Sequence, residues 1–220
     1  GLQRVAYLAV VDFLTGEVLI NQYVKPSGRV THWNSRITGI TLKDMNAAVR
    51  SGAAFRDWQA AREAVWDYVD SDTVLIGQTL HNDLHALGMV HFRVVDTALL
   101  TAEAVFSGWE DSTRYPRLWS LKKLAWAMLG RQIQARSAGH SALEDALATR
   151  DVLIHCLENP VELRKWACEG RREYWDSGDG RLGMTSAVPI VAGDGLEDKS
   201  EDSSSSSGSR LWSDFSEDYL

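Results

Sequence analysis

Two short stretches of this 220-residue sequence carry residue types at spacings that suit proton and metal chemistry. The first is Gly139-His140-Ser141-Ala142-Leu143-Glu144-Asp145-Ala146. Ser141 with Glu144 has the spacing of a capping box, in which Ser caps the helix and Glu, three residues on, answers the N-cap N–H. That register puts His140 just before the cap and Asp145 at the fourth helical position. Side chains at those two positions normally meet, so an imidazole is brought beside a carboxylate near a positive helix N-terminus. The pair suits a carboxylate that binds metal and a His that handles a proton. On spacing alone, an ordinary cap with His140 in solvent is the stronger reading.

The second stretch is Gly77-Gln78-Thr79-Leu80-His81-Asn82-Asp83-Leu84. It follows the apolar run Thr73 to Ile76, which reads as a strand buried on both faces. Open α/β sheets bind ligands at such strand ends. Asp83, at the start of the following helix, is a candidate ligand for a hard metal ion. Alone, Asn82-Asp83 is more often a turn or a cap.

The elements that must hold these residues read as follows. Val5 to Phe13 and Glu17 to Val24 form two strands of an antiparallel hairpin around Leu14-Thr15-Gly16. Thr41 opens a helix, and Phe55 to Val69 is an amphipathic helix. Asn82 to Leu87 is helical, and Phe92 to Val95 is a short strand. Helices follow at 120–129 and 141–157. Pro160 stops the latter, and another helix covers 161–168. The order implies a mixed sheet flanked by helices. From about Gly178 the composition turns to Gly, Ser, Asp and Glu, with a Ser run at 203–207, so 178–220 is expected to be a disordered acidic Ser-rich tail beside a folded domain over 1–177. Eight acids against two bases between 194 and 220 give the tail −6 of the net charge of −7. The folded part is then nearly neutral, which argues against a broad basic coat for nucleic acid. Arg36, Lys122, Lys123, Arg131 and Arg136 are scattered and read as ordinary surface charges. Leu211 to Phe215, mixing aromatics with acids, is a candidate motif for a protein partner, with a plain solvated tail the favoured alternative. The two cysteines lack metal spacing, and no apolar run is long enough for a membrane span.

Taken together, these motifs resemble a known family. Gln78-Thr79-Leu80-His81-Asn82-Asp83-Leu84 is similar to the second motif of DEDDh 3′→5′ exonucleases, G-H-x-L-x-x-D-L, and His140-x4-Asp145 to their third. Val95-Asp96-Thr97, Trp119 to Leu124, Tyr23 to Pro26 and Arg36 to Ile40 resemble the RNA exonuclease 4-like branch, over about Val5 to Cys168. The resemblance implies a ribonuclease H-like α/β fold and two divalent ions, Mg²⁺ or Mn²⁺, with Asp83 and Asp145 as metal ligands and His140 as general base. It implies action on the 3′ end of RNA, with single-stranded DNA as an alternative, by a monomer in the nucleus or nucleolus. Gln78 stands where the family has His. The family's first motif, D-x-E on the first central strand, has no counterpart among Gly1 to Arg4. Asp12 and Glu17 belong to the hairpin. The sequence therefore reads as a fragment or truncated gene model lacking the central strand, expected to be inactive by itself. The competing reading is an inactive exonuclease-like module that binds nucleic acid or acts as a scaffold.

Overall fold

The structure, a computed structural model, describes residues 4–109, 115–135 and 139–177. The expected tail at 178–220, Arg136 and the Leu211–Phe215 motif lie outside the described residues.

The hairpin forms as the alternation predicts. Strand β1 (Tyr7–Val11) pairs antiparallel with β2 (Val18–Val24), Tyr7 opposite Tyr23 and Val10 opposite Ile20, with an irregularity between Val10 and Val11. The turn is tied by Asp12, whose Oδ1 accepts from the Thr15 N–H and hydroxyl, both at 2.7 Å. Those bonds hold the Asp12 carboxyl below its ordinary pKa. Asp12 is thus a turn residue. Helix α1 (Ser35–Thr38) is a single turn, and α2 (Leu42–Ser51) starts at Thr41 in a full reciprocal capping box with Asp44. The next helix starts later than its apolar stripe suggests. Phe55 belongs to the two-residue strand β3 (Ala54–Phe55), parallel to β2, and α3 (Trp58–Trp66) begins where Asp57 accepts from the Ala60 N–H at 2.8 Å.

Strands β4 (Leu75–Gly77) and β5 (Val94–Asp96) pair in parallel, joined through α4 (Leu80–Ala86). Helix α5 (Thr97–Val105) went unread in the sequence because it has no polar face to generate a stripe. Its buried side includes Thr97 and Thr101, and the Thr101 hydroxyl returns to the Thr97 carbonyl at 2.7 Å. Helices α6 (Leu121–Leu129), α7 (Ala142–Glu158) and α8 (Pro160–Asp176) complete the described fold. Pro160 ends α7 and also opens α8, where its missing N–H costs nothing. Helix α8 runs eight residues past the predicted Cys168, because Gly170 sits against Trp119 and Val105 and Tyr174 packs edge-on to Phe106.

Two apolar clusters form the core. One gathers Val105, Leu124, Ile133 and Val152 with Phe106 and Trp119 among α5 to α8. The other joins Ile20 and Val24 of β2 to Ala61 and Val65 of α3, with Leu8, Val10 and Leu75 packed on it. The strands do not form one sheet. They divide into β1-β2-β3 and β4-β5. This corrects the reading of the Thr73–Gly77 run as buried on both faces: Leu75, Ile76 and Gly77 are all half-buried, and Val74 is 49% exposed. A strand with a neighbour on one edge alone loses the flanking cover that a central strand has.

Candidate active site

The His140–Asp145 pair forms where the cap spacing places it. Ser141 caps α7, accepting from the Glu144 N–H at 3.3 Å. His140 Nδ1 lies 3.9 Å from Asp145 Oδ2, in ion-pair range but beyond a hydrogen bond. His140 is 43% exposed as a side chain and Asp145 27%, so a ligand can reach both. The segment leading into the pair is clamped from the other end of the chain. The His140 N–H donates to the Ile37 carbonyl at 2.7 Å. Gly139, at φ 92°, lies so close to Gly39 that a Cβ would meet its nitrogen at 2.2 Å. The Arg36–Ile40 region thus works as the seat of His140.

The capping box itself is only half made. Glu144 turns its carboxylate away from Ser141 and accepts from the Gln134 backbone N–H at 2.9 Å. Gln134 holds a left-handed backbone, φ 56°, and its side-chain amide donates to Asp145 Oδ1 at 2.9 Å. One residue thereby grips both acids of the first turn of α7. Asp145 is pushed above its ordinary pKa by desolvation, which the Gln134 bond and His140 oppose.

Asp83 sits in the first turn of α4, as predicted. Its carboxyl is raised above the usual carboxylate range, first by desolvation and then by the neighbouring Asp96 carboxylate. Asp96 holds the whole β4–α4 junction. Its Oδ1 accepts from the N–H groups of Thr79 and Ala98, both at 2.9 Å, and its Oδ2 from Leu80 at 2.7 Å. It therefore caps α4 from across the chain and α5 from its own N-cap position. Thr79, left-handed at φ 55°, makes no cap bond of its own. Gln78 accepts from the Thr97 hydroxyl at 2.5 Å and donates to the Trp119 carbonyl at 2.9 Å. It ties the end of β4 to α5 and to the segment before α6.

Asp83 and Asp145 are held on separate elements. Among the described residues, no group of three or more His, Cys, Asp or Glu is gathered as a metal would require. A hard divalent ion takes six or more oxygens, and both Asp96 oxygens are already committed to backbone N–H groups. The residues described do not by themselves fit the two-ion centre that the motifs imply. Arg131, one of the scattered bases, is paired with Asp151 at 3.0 Å.

Sequence reasoning missed Gln134 and the structural role of Asp96. An Asp between a strand and an apolar run is an N-cap signal that marks the second. Nothing local marks the first.

Mixed strands covered by helices, with paired acidic and His motifs at strand and helix ends, define an α/β fold of the ribonuclease H-like class. The Neurospora crassa Pan2 catalytic unit, comprising protease and nuclease domains, superposes with a TM-score of 0.58 at 19% identity, over 83% of this chain and 27% of that one. The Saccharomyces cerevisiae Pan2 pseudoubiquitin hydrolase–RNA exonuclease module, in complex with AAGGAA RNA, gives 0.59 at 20% identity, over 80% and 28%. The exonuclease family model (RNase_T) matches residues 3–153, and the chain belongs to that family. RNA exonuclease 3 of Candida albicans is 31% identical over 156 residues, 70% of this chain and 34% of that protein. Small RNA degrading nuclease 2 of Arabidopsis thaliana is 32% identical over 165 residues, 74% and 33%. The chain spans about a third of the length of these curated relatives.

Proposed function

We propose that this protein removes nucleotides one at a time from the 3′ end of RNA by hydrolysis. The observation that carries the reading is the His140–Asp145 pair at the head of α7, in a chain of the exonuclease family. His140, partly open to solvent beside a carboxylate, is placed to take a proton from the attacking water. Asp83 and Asp145 are the acids that would serve as ligands, with Mg²⁺ or Mn²⁺ the ions to supply. The relatives' names favour RNA over single-stranded DNA. Action as a monomer, residence in the nucleus or nucleolus, and a protein partner for the acidic tail belong to the same proposal. The second reading, an inactive binding module, is favoured by one observation, the lack of a gathered metal-ligand cluster among the described residues.

The test is an assay on 5′-labelled single-stranded RNA with Mg²⁺ or Mn²⁺, using the chain with and without an Asp-x-Glu strand fused ahead of Val5. The expected result is a ladder shortening from the 3′ end with the fused strand, none without it, and loss with Asp83→Asn or His140→Ala. Full activity in either variant would overturn the site assignment. A folded, RNA-binding but inactive fused chain would favour the binding module.

A further inference from the structure

We propose that β1 and β4 border a strand-shaped site that takes an extended peptide from a separate polypeptide, with apolar side chains at every second position. The argument rests on sheet topology and not on the exonuclease reading. Among the described residues, β1 pairs only with β2 and β4 only with β5, so each keeps one open edge. The ladder pattern says which groups are open. The Val24 N–H donates to the Ala6 carbonyl at 3.0 Å, so Ala6, Leu8 and Val10 spend their backbone groups on β2. Antiparallel alternation then turns those of Tyr7, Ala9 and Val11 outward. The Leu75 N–H donates to the Arg93 carbonyl at 2.9 Å, which leaves the N–H and C=O of Ile76 facing away from β5.

Both open strands lie under the same two layers. Leu8 and Val10 of β1 and Leu75 of β4 pack on the cluster formed by Ile20, Val65 and Leu87. Helix α7 packs against both strands as well. A strand entering between them would find its walls already built, and its residues facing the Leu8–Leu75 cluster would have to be apolar. All five residues of β1 and all three of β4 are half-buried, the exposure of strands with one neighbour missing. Sequence strengthens the case. Solvent-facing edges are normally blunted by charge, by proline or by a cover that denies pairing. Tyr7-Leu8-Ala9-Val10-Val11 and Leu75-Ile76-Gly77 contain neither a charge nor a proline. They are composed like strands that pair on both sides. Strand addition to such an edge gains affinity from main-chain bonds and selectivity from alternate side chains.

The experiment uses the chain as it stands and a capped peptide of about nine residues, valine alternating with threonine. Amide exchange is read residue by residue with increasing peptide. The expected result is saturable slowing, about tenfold or more, at Tyr7, Ala9, Val11 and Ile76. A peptide of equal composition with a central proline should give none. Ala9→Pro deletes only an outward N–H, a change tolerated on an edge. It should leave the circular dichroism spectrum intact and abolish the slowing. No slowing at these four amides in the unaltered protein overturns the proposal. So does slowing without peptide that grows with protein concentration, which would make a second copy the occupant. No catalysis is read, so an inactive enzyme cannot be mistaken for a failed site.

Discussion

Gln134 donates its side-chain amide to Asp145 Oδ1 at 2.9 Å, across eleven positions of the chain. The same residue donates its backbone N–H to Glu144. Gln134→Ala removes the amide and leaves a partly buried carboxylate short of a donor, at a cost of about 1–3 kcal/mol. Gln134→Gly removes the same amide but relieves the left-handed backbone, so it should cost less. Urea melts of the two variants check the order. Equal stability of both with the unaltered protein would show that the bond contributes nothing.

Asp83 is held in a setting that opposes its charge. Its folded carboxyl binds a proton more tightly than the unfolded one. Stability is therefore lost as pH rises from the ordinary carboxylate value of 3.8 through the raised folded value, and stays lost above it. Asp83→Asn removes that cost. The variant should melt higher than the unaltered protein near pH 7, with the gain shrinking through the window and gone below it. Melting curves across pH check this. A gain independent of pH would mean that burial and Asp96 are not its cause. In the same variant, nuclease activity should be lost.

Asp96 accepts from three backbone N–H groups at two helix starts. Losing a single cap costs about 1 kcal/mol. Asp96→Ala should cost roughly twice that, and it should loosen α4 and α5 together. Urea denaturation with amide exchange at Thr79, Leu80 and Ala98 reads both effects. Faster exchange at Ala98 alone would limit Asp96 to its local cap.

Gly139 admits no side chain. Gly139→Ala would drive a Cβ into the Gly39 backbone and also hold alanine at φ 92°. A strained conformation of this kind costs on the order of 1–3 kcal/mol. The chain must part at the Ile37–His140 contact to relieve it, so His140 should lose its seat. The expected signature is lowered stability with accelerated exchange of the His140 amide. An unchanged amide would show that this contact does not position the residue.

The sequence by itself determined what is local. The hairpin, the starts of α2, α6 and α7, and the meeting of His140 with Asp145 follow from spacings within a turn or two, where covalent connection fixes the geometry. The tertiary structure decided the partners those residues then take. Glu144 has the spacing of a capping box, yet it bonds Gln134, because a loop ten positions earlier folds back within reach. Asp96 reads as the cap of α5, and it also caps α4 because β4 lies beside β5. Gly139 reads as a turn glycine, and contact with Gly39 makes it irreplaceable. The apolar run at β4 announces a strand, whereas its exposure depends on which strand stands on its other edge. An apolar pattern fixes what a segment prefers to bury. Only the assembled layers determine whether a neighbour is there to bury it, and between β1 and β4 none of the described strands is.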